Sequence, residues 1–227
     1  MSRVFLASVG QFIVLVAVLA LAEFAPAGTL FWPAGWAFLL LFGGFFLGTN
    51  VWLAKNNPGL LQERLRLARP DQQGWDKFLF PILYLFPAAW LAFISLDAVR
   101  FHWSNVPAWI QGLGLLILFA SFALFFLTFR ENTYLSTVVR IQEERGHQVI
   151  SSGPYRIVRH PMYTGIVLFM AGTPLLLGSW YGLLLGLVLD ILLVRRTILE
   201  ERTLTQGLEG YSAYMGRVRY RFIPHIW

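Results

Sequence analysis

Residues 160–201 read HPMYTGIVLFMAGTPLLLGSWYGLLLGLVLDILLVRRTILEE. Two apolar runs, Met162 to Leu177 and Trp180 to Leu199, are separated by nothing more than LGSW at 177–180. Each run is about long enough to cross, or nearly cross, a hydrocarbon core of roughly 30 Å as a helix. So short a joint allows only a tight turn, so the two runs form a helical hairpin. Its open ends, His160 and the Glu200-Glu201 pair, then lie at the same membrane depth. Pro161 suits the first turn of a helix, where a missing N–H costs nothing. Gly178, Gly182 and Gly186 recur at four-residue spacing, a pattern that allows the two helices to approach closely.

Four more apolar segments precede the hairpin: Val4 to Ala22, Phe31 to Ala54, Phe78 to Leu96 and Val106 to Phe129. With 57% hydrophobic and 13% charged residues among 227, the chain is expected to be an all-α polytopic integral membrane protein with about six transmembrane helices. ALAEF at 20–24 resembles a signal-peptidase site, but the preceding run of about 18 apolar residues exceeds the usual 7 to 15, and a retained helix is expected. The chain contains no cysteine, which excludes disulfides, thiolate metal sites and cysteine nucleophiles. No metal site is expected.

The net charge of +6 does not point to nucleic acid, because the cations are scattered beside membrane segments rather than gathered on a polar domain. Arg3 precedes the first segment, and Lys55, Arg64, Arg66, Arg69 and Lys77 lie between the second and third. Arg130, Arg140, Arg145, Arg156 and Arg159 lie between the fourth and fifth, and Arg195, Arg196, Arg202, Arg217, Arg219 and Arg221 end the sixth or follow it. With six spans, 17 of the 18 cations share one face, which the positive-inside rule assigns to the cytoplasm. Only Arg100 falls on the other side. The expected division is a four-helix transmembrane region, 1–129, and a functional region, 130–227, made of a loop, the hairpin and a cytoplasmic tail.

Three polar blocks converge on the cytoplasmic face: RIQEERGHQVISSGPYR at 140–156, VRHPMY at 158–163 and RRTILEERTL at 195–204. Arg196 and Glu200 are four apart and share a helix face, whereas Glu201 projects about 100° further round. Taken singly, each of these charges could merely anchor or solvate a helix end. Asp190, inside an apolar run, is expected to hydrogen-bond a neighbouring helix.

GHQVISSGPYRIVRHPMYTG, the hairpin, LEERTL and GLEGYSAYMGRVRYRFIP occur in that order over roughly residues 130 to 227. Together they resemble the isoprenylcysteine carboxyl methyltransferase family and its bacterial relatives, including phospholipid methyltransferases. The resemblance implies S-adenosylmethionine (SAM) bound at the cytoplasmic ends of the last helices, enclosed by the tail. It places cofactor contacts on His147, Gln148, Val149, Ile150, Tyr155, His160, Pro161, Tyr163 and a glutamate of the Glu200-Glu201 pair. It makes Arg196 the substrate-binding residue, with catalytic roles for Arg196 and Glu201. An upstream polar ligand falls on Arg140 by ungapped counting, or on Gln142 by chemistry.

Physically, the N-terminus of the fifth segment with His160 suits the SAM carboxylate, and the glutamates suit its ammonium or ribose hydroxyls. If the acceptor is an amine or thiol, His160 or Glu201 could serve as base; a carboxylate acceptor needs none. The implied function is methyl transfer to a membrane lipid or other hydrophobic acceptor, in the bilayer of a bacterial inner membrane. A sterol-type membrane reductase using NADPH and a non-catalytic lipid-binding protein are the alternative readings.

Overall fold

The computed structural model describes residues 3–66 and 70–227; Arg69, counted above among the cations, lies outside the described residues. Eight α-helices are present, and no strand occurs among the described residues. Helix α1 (Arg3–Ala27) is followed by α2 (Pro33–Asn56), with Pro33 at its first position, and by a short α3 (Pro58–Arg64). Asn57 joins the last two by accepting the Leu60 N–H on its side chain at 3.1 Å. Helix α4 (Gly74–Ser95) continues through a π turn at Leu96–Arg100, and α5 (Ala108–Glu131) follows. A loop with two 3₁₀ turns leads into α6 (Pro161–Leu177), α7 (Trp180–Gly207) and α8 (Tyr211–Arg217).

Val4–Ala27, Pro33–Asn56, Gly74–Arg100 and Ala108–Glu131 are long and apolar enough to cross a membrane by length and composition. Helix α6 has 17 residues, about 25 Å, and α7 has 28 residues, about 42 Å, with Asp190, Arg195 and Arg196 along it. As the placing of Glu200 and Glu201 on its faces implied, the helix runs past the apolar segment's end at Leu199. It continues for two turns and carries Glu200 and Glu201 on regular helix. Outward-facing Ile13, Leu21, Leu40, Leu116, Leu184 and Ile191 are exposed, as lipid-facing side chains are. Exposed Phe31, Trp103, Trp109 and Tyr181 gather at the end opposite the loop, as an interfacial aromatic belt does.

The α6–α7 hairpin is as expected in its turn: Gly178 ends α6 with φ +89°, and the Ser179 hydroxyl accepts the Gly182 N–H at 2.8 Å. The packing differs from the expected glycine seam. Gly186 faces the Met170 carbonyl of α6, but Gly182 faces Ile94 of α4, and Gly178 is the turn itself. The most intimate helix pair is α5 with α6. There Gly114 meets Gly172, and a Cβ on Gly114 would lie 2.4 Å from the Leu176 backbone nitrogen. Gly114→Ala is accordingly expected to force these helices apart and cost about 1 to 3 kcal/mol, since backbone cannot step aside as a side-chain tip can. Thermal unfolding of the purified variant in detergent measures it; an unchanged midpoint would contradict this contact.

Hydrogen bonds bind the hairpin to α4 and α5. The Trp90 indole donates to the Gly182 carbonyl at 2.8 Å, and the Ser121 hydroxyl to the Gly165 carbonyl at 2.8 Å. At the outer end, fully buried Asp97 accepts from Ser104 at 2.7 Å and from Ser179 of the hairpin turn. Asp190 departs from expectation: its Oδ1 is buried with no hydrogen-bond partner among the described residues, so that atom does not make the expected hydrogen bond to a neighbouring helix.

Candidate active site

The hairpin's open end, the 132–160 loop and the tail enclose a cavity of about 330 Å³, within the range of small-molecule sites. Its loop wall is the extended run His147, Gln148, Val149 and Ile150, together with Tyr155 and Tyr134. His160, Met162, Tyr163 and Ile166 enter from α6, and Arg196, Glu200 and Leu204 from α7. Leu208, Tyr211 and Tyr214 of the tail close it, while Arg64 and Phe80 reach it from α3 and α4. Of the site residues singled out in the sequence, Pro161, Glu201 and Gln142 do not line it. Pro161 is the first residue of α6, and its missing N–H is an economy there rather than a contact.

The glutamate pair is divided, as a 100° step around a helix requires. Glu200 faces the cavity and accepts a hydrogen bond from the Tyr163 hydroxyl on Oε2; its Oε1 has no protein partner among the described residues. Glu201 is buried behind it in a knot of cations. The Arg159 Nε donates to it at 2.6 Å and the Arg221 Nε at 2.8 Å, and its Oε1 lies 3.2 Å from the His160 Nε2. Burial alone would raise the Glu201 carboxyl, but hydrogen bonds from His160, Arg159 and Arg221 outweigh it and hold the pKa at about 2. Glu201 sits past Leu199, where the apolar run ends.

Arg159 was quoted in the sequence without a role. It is the strap of the tail: besides Glu201, its Nη1 donates to the Val218 and Arg219 carbonyls at 2.9 and 2.7 Å. Backbone bonds extend the seam, from Arg159 N to the Tyr220 carbonyl at 2.9 Å and from His160 N to the Arg221 carbonyl at 3.0 Å. The His160 N–H is thereby used, and the Tyr163 N–H turns back to the His160 carbonyl at 3.0 Å. The α6 N-terminus thus offers a ligand fewer free donors than its sequence suggests, with the Met162 N–H left over. The His160 ring stacks on Tyr163 with centroids 5.4 Å apart and 10° between planes.

On the loop wall, burial, reinforced by Arg140 and Arg145, lowers His147 to about 4. Its ring is therefore neutral at physiological pH. It lies 4.6 Å from the Tyr134 ring, and its Nδ1 accepts the Gln142 N–H at 3.4 Å, which leaves the proton on Nε2. Tyr155 is buried; its hydroxyl accepts from Asn132 at 2.8 Å and its carbonyl from the Tyr214 hydroxyl at 2.8 Å. Burial pushes its phenol up, so it remains a neutral hydrogen-bonding group. Neither candidate for the upstream ligand is free. Arg140 is bound to Glu63, Asp71 and Glu144, and Gln142 to the Tyr134 carbonyl and Arg145.

Arg196 is held at two points. Its Nε donates to Asp76 Oδ1 at 3.0 Å and its Nη2 to the Thr137 carbonyl at 3.0 Å. The guanidinium carbon lies 5.8 Å from the Tyr163 ring centroid, and Nη1 has no protein partner among the described residues. The cavity therefore presents a carboxylate oxygen and a guanidinium edge without partners, with Tyr163 between them. Asp76, Asn132, Tyr134, Tyr211 and Tyr214 were not singled out in the sequence. The tail tyrosines could have been suspected from YSAY at 211–214, whereas GWDK at 74–77 carries no local signal.

The chain matches the phospholipid methyltransferase family over residues 109–209, from the start of α5 to just past α7. It is also 33% identical over 85 residues to the Protein-S-isoprenylcysteine O-methyltransferase of Schizosaccharomyces pombe. That alignment covers 37% of this chain and 36% of the relative, so the match spans about a third of the curated relative's length. The family-matched segment spans α5, α6 and α7 and includes His160, Tyr163, Arg196 and Glu200.

Proposed function

We propose that the protein is an integral membrane methyltransferase that uses SAM to methylate a hydrophobic or lipid-like acceptor. The observation that carries this reading is the cavity's pair of charged edges without a protein hydrogen-bond partner among the described residues, Glu200 Oε1 and Arg196 Nη1, in walls that mix aromatic and apolar side chains with polar ones such as Asn132, Thr137 and Gln148. One edge suits a cationic or hydroxyl-bearing ligand group and the other an anionic one. When bound, SAM supplies an electrophilic methyl on its sulfonium, along with an ammonium and ribose hydroxyls that match a carboxylate acceptor.

The residues present fit that cofactor. Glu200 would hold the ammonium or a ribose hydroxyl, and the backbone of His147 to Ile150 would read a flat heteroaromatic edge. His147 would donate from Nε2 as a neutral group. His160 would serve through its ring face and its stack on Tyr163, and Pro161 through the geometry of the helix start. Tyr155 would brace the tail over the site rather than ionise. The Leu208, Tyr211 and Tyr214 lid would exclude water, which matters because an in-line displacement gains most from alignment and dryness.

Glu201, at about 2, is too weak a base to take a proton from an amine or thiol. Its place here is to tie the tail down, and an acceptor already anionic, such as a carboxylate, makes the least demand on this site. The positive-inside distribution supports a cavity on the cytoplasmic side of the cell membrane, where a water-soluble cofactor can reach it.

Calorimetry on the purified protein in detergent tests the reading. Saturable binding of SAM and of its demethylated product, S-adenosylhomocysteine, is expected, with none of NADPH. Saturable NADPH binding without a SAM signal would transfer the site to the reductase reading.

A further inference from the structure

We infer that Asp76 is a positioning residue for methyl transfer: it fixes the guanidinium of Arg196 so that only Nη1 faces the acceptor. The inference rests on the proposed function, in which Arg196 orients the acceptor. Asp76 stands in the first turn of α4, outside the family-matched segment, and is fully buried at 0% exposure.

Its carboxylate joins three parts of the fold. Oδ1 accepts the Arg196 Nε from α7 at 3.0 Å, and Oδ2 accepts both the Val139 N–H of the loop at 2.9 Å and the Gln72 amide at 2.9 Å. The two bonds on Oδ2 hold the carboxylate in one rotamer, so Oδ1 is aimed before Arg196 arrives. A guanidinium is planar, with donors on fixed edges. Pinning Nε to Asp76 and Nη2 to the Thr137 carbonyl removes both its rotation and its translation. Nη1 is what remains, and Arg196 lines the cavity.

A buried arginine with one free edge could be supported by any carboxylate; what marks Asp76 as more than a counter-ion is that the same carboxylate orders the loop at Val139. The 134–139 segment forms part of the cavity wall, so one side chain sets both the acceptor-facing cation and the wall beside it. Catalysis by alignment is sensitive to this, because a displacement of about 1 Å in a reacting group can cost about 100-fold in rate.

The test compares Asp76→Asn, Arg196→Gln and the double variant. SAM affinity is read by calorimetry, and kcat and KM by methyl transfer from labelled SAM to an S-prenylated cysteine with a free carboxylate and to phosphatidylethanolamine vesicles. Asp76→Asn keeps the shape but sets an amide where two N–H donors and a guanidinium must be accepted. It is expected to lower kcat roughly 10- to 100-fold with SAM affinity within about threefold of wild type. The double variant should be no slower than Arg196→Gln alone, because Asp76 acts through Arg196.

Gln72→Leu, which frees the carboxylate rotamer while leaving both partners, should show a weaker form of the same kcat loss and serves if Asp76→Asn does not fold. Additive losses in the double variant, or parallel loss of SAM affinity, would make Asp76 a structural residue and overturn the inference alone. Wild type that binds SAM but methylates neither acceptor also overturns it, whereas wild type that binds no SAM removes the proposed function beneath it.

Discussion

Replacing Glu201 with alanine is expected to release the C-terminal tail and lower stability by about 3 to 5 kcal/mol, the range for removing one member of a buried ion-paired group. The side chains of Glu201 and Arg159 are each 5% exposed, so the loss strands the Arg159 cation in the protein interior. Arg221, 28% exposed, loses its partner at smaller cost because solvent can replace it. Arg159 also holds the Val218 and Arg219 carbonyls, and Thr164 donates to the Phe222 carbonyl at 2.7 Å, so disorder at Arg159 spreads along the whole seam. Tyr211 and Tyr214 then no longer close the cavity.

Thermal unfolding, with tryptic cleavage at the exposed Arg217 and Arg219 as a local readout, measures the effect. Unchanged melting and unchanged protection at these sites would refute the strap. The pH dependence has a defined sign. The folded carboxyl is depressed to about 2 from 4.5, so its contribution is fully present above about pH 4.5 and is lost as pH falls from there through about 2. Docking of the tail should therefore not weaken between pH 7 and pH 5 on account of this group.

The hairpin and the meeting of His160, Tyr163, Arg196 and Glu200 at its open end were legible because they depend on local facts. A glycine-serine joint between two apolar runs dictates a turn, and the ends of a hairpin share a depth whatever surrounds them. Even the division of labour between Glu200 and Glu201 was half visible, since adjacent helical residues point 100° apart; the sequence could not say which direction held the cavity. That answer depends on the tail returning across α6, a contact between residues 159–160 and 218–221 set by hydrogen bonds with no periodic signature.

Other features were illegible for the same reason. The closest helix approach uses Gly114 and Gly172, which lie in different segments, while the regular Gly178, Gly182 and Gly186 series divides among a turn, α4 and α6. Spacing within one helix reports which residues share a face, not which neighbour that face meets. Asp76 lies near an apolar segment like many interfacial acids, and only the fold brings Arg196, from 120 residues later, against it.

Glu200→Ala and Arg196→Ala should separate cofactor binding from acceptor alignment. Glu200 Oε1 is the carboxylate oxygen that the cavity leaves without a protein partner, and its loss should weaken SAM binding by about 1.5 to 3 kcal/mol, roughly 10- to 150-fold, as for a charge-assisted hydrogen bond. The fold should survive, because the Glu200 partner within the protein is the Tyr163 hydroxyl, which can turn to water in the vacated cavity. Arg196→Ala should leave SAM affinity within about threefold and reduce turnover about 100-fold or more, since it removes the group that faces the acceptor. If both residues only anchored the end of α7, the two variants would instead show small, similar losses of stability with SAM affinity unchanged. Calorimetry and labelled-methyl turnover on the same preparations distinguish these outcomes. Unaltered SAM affinity in Glu200→Ala would remove the carboxylate from the cofactor site, whatever Arg196→Ala does to the rate.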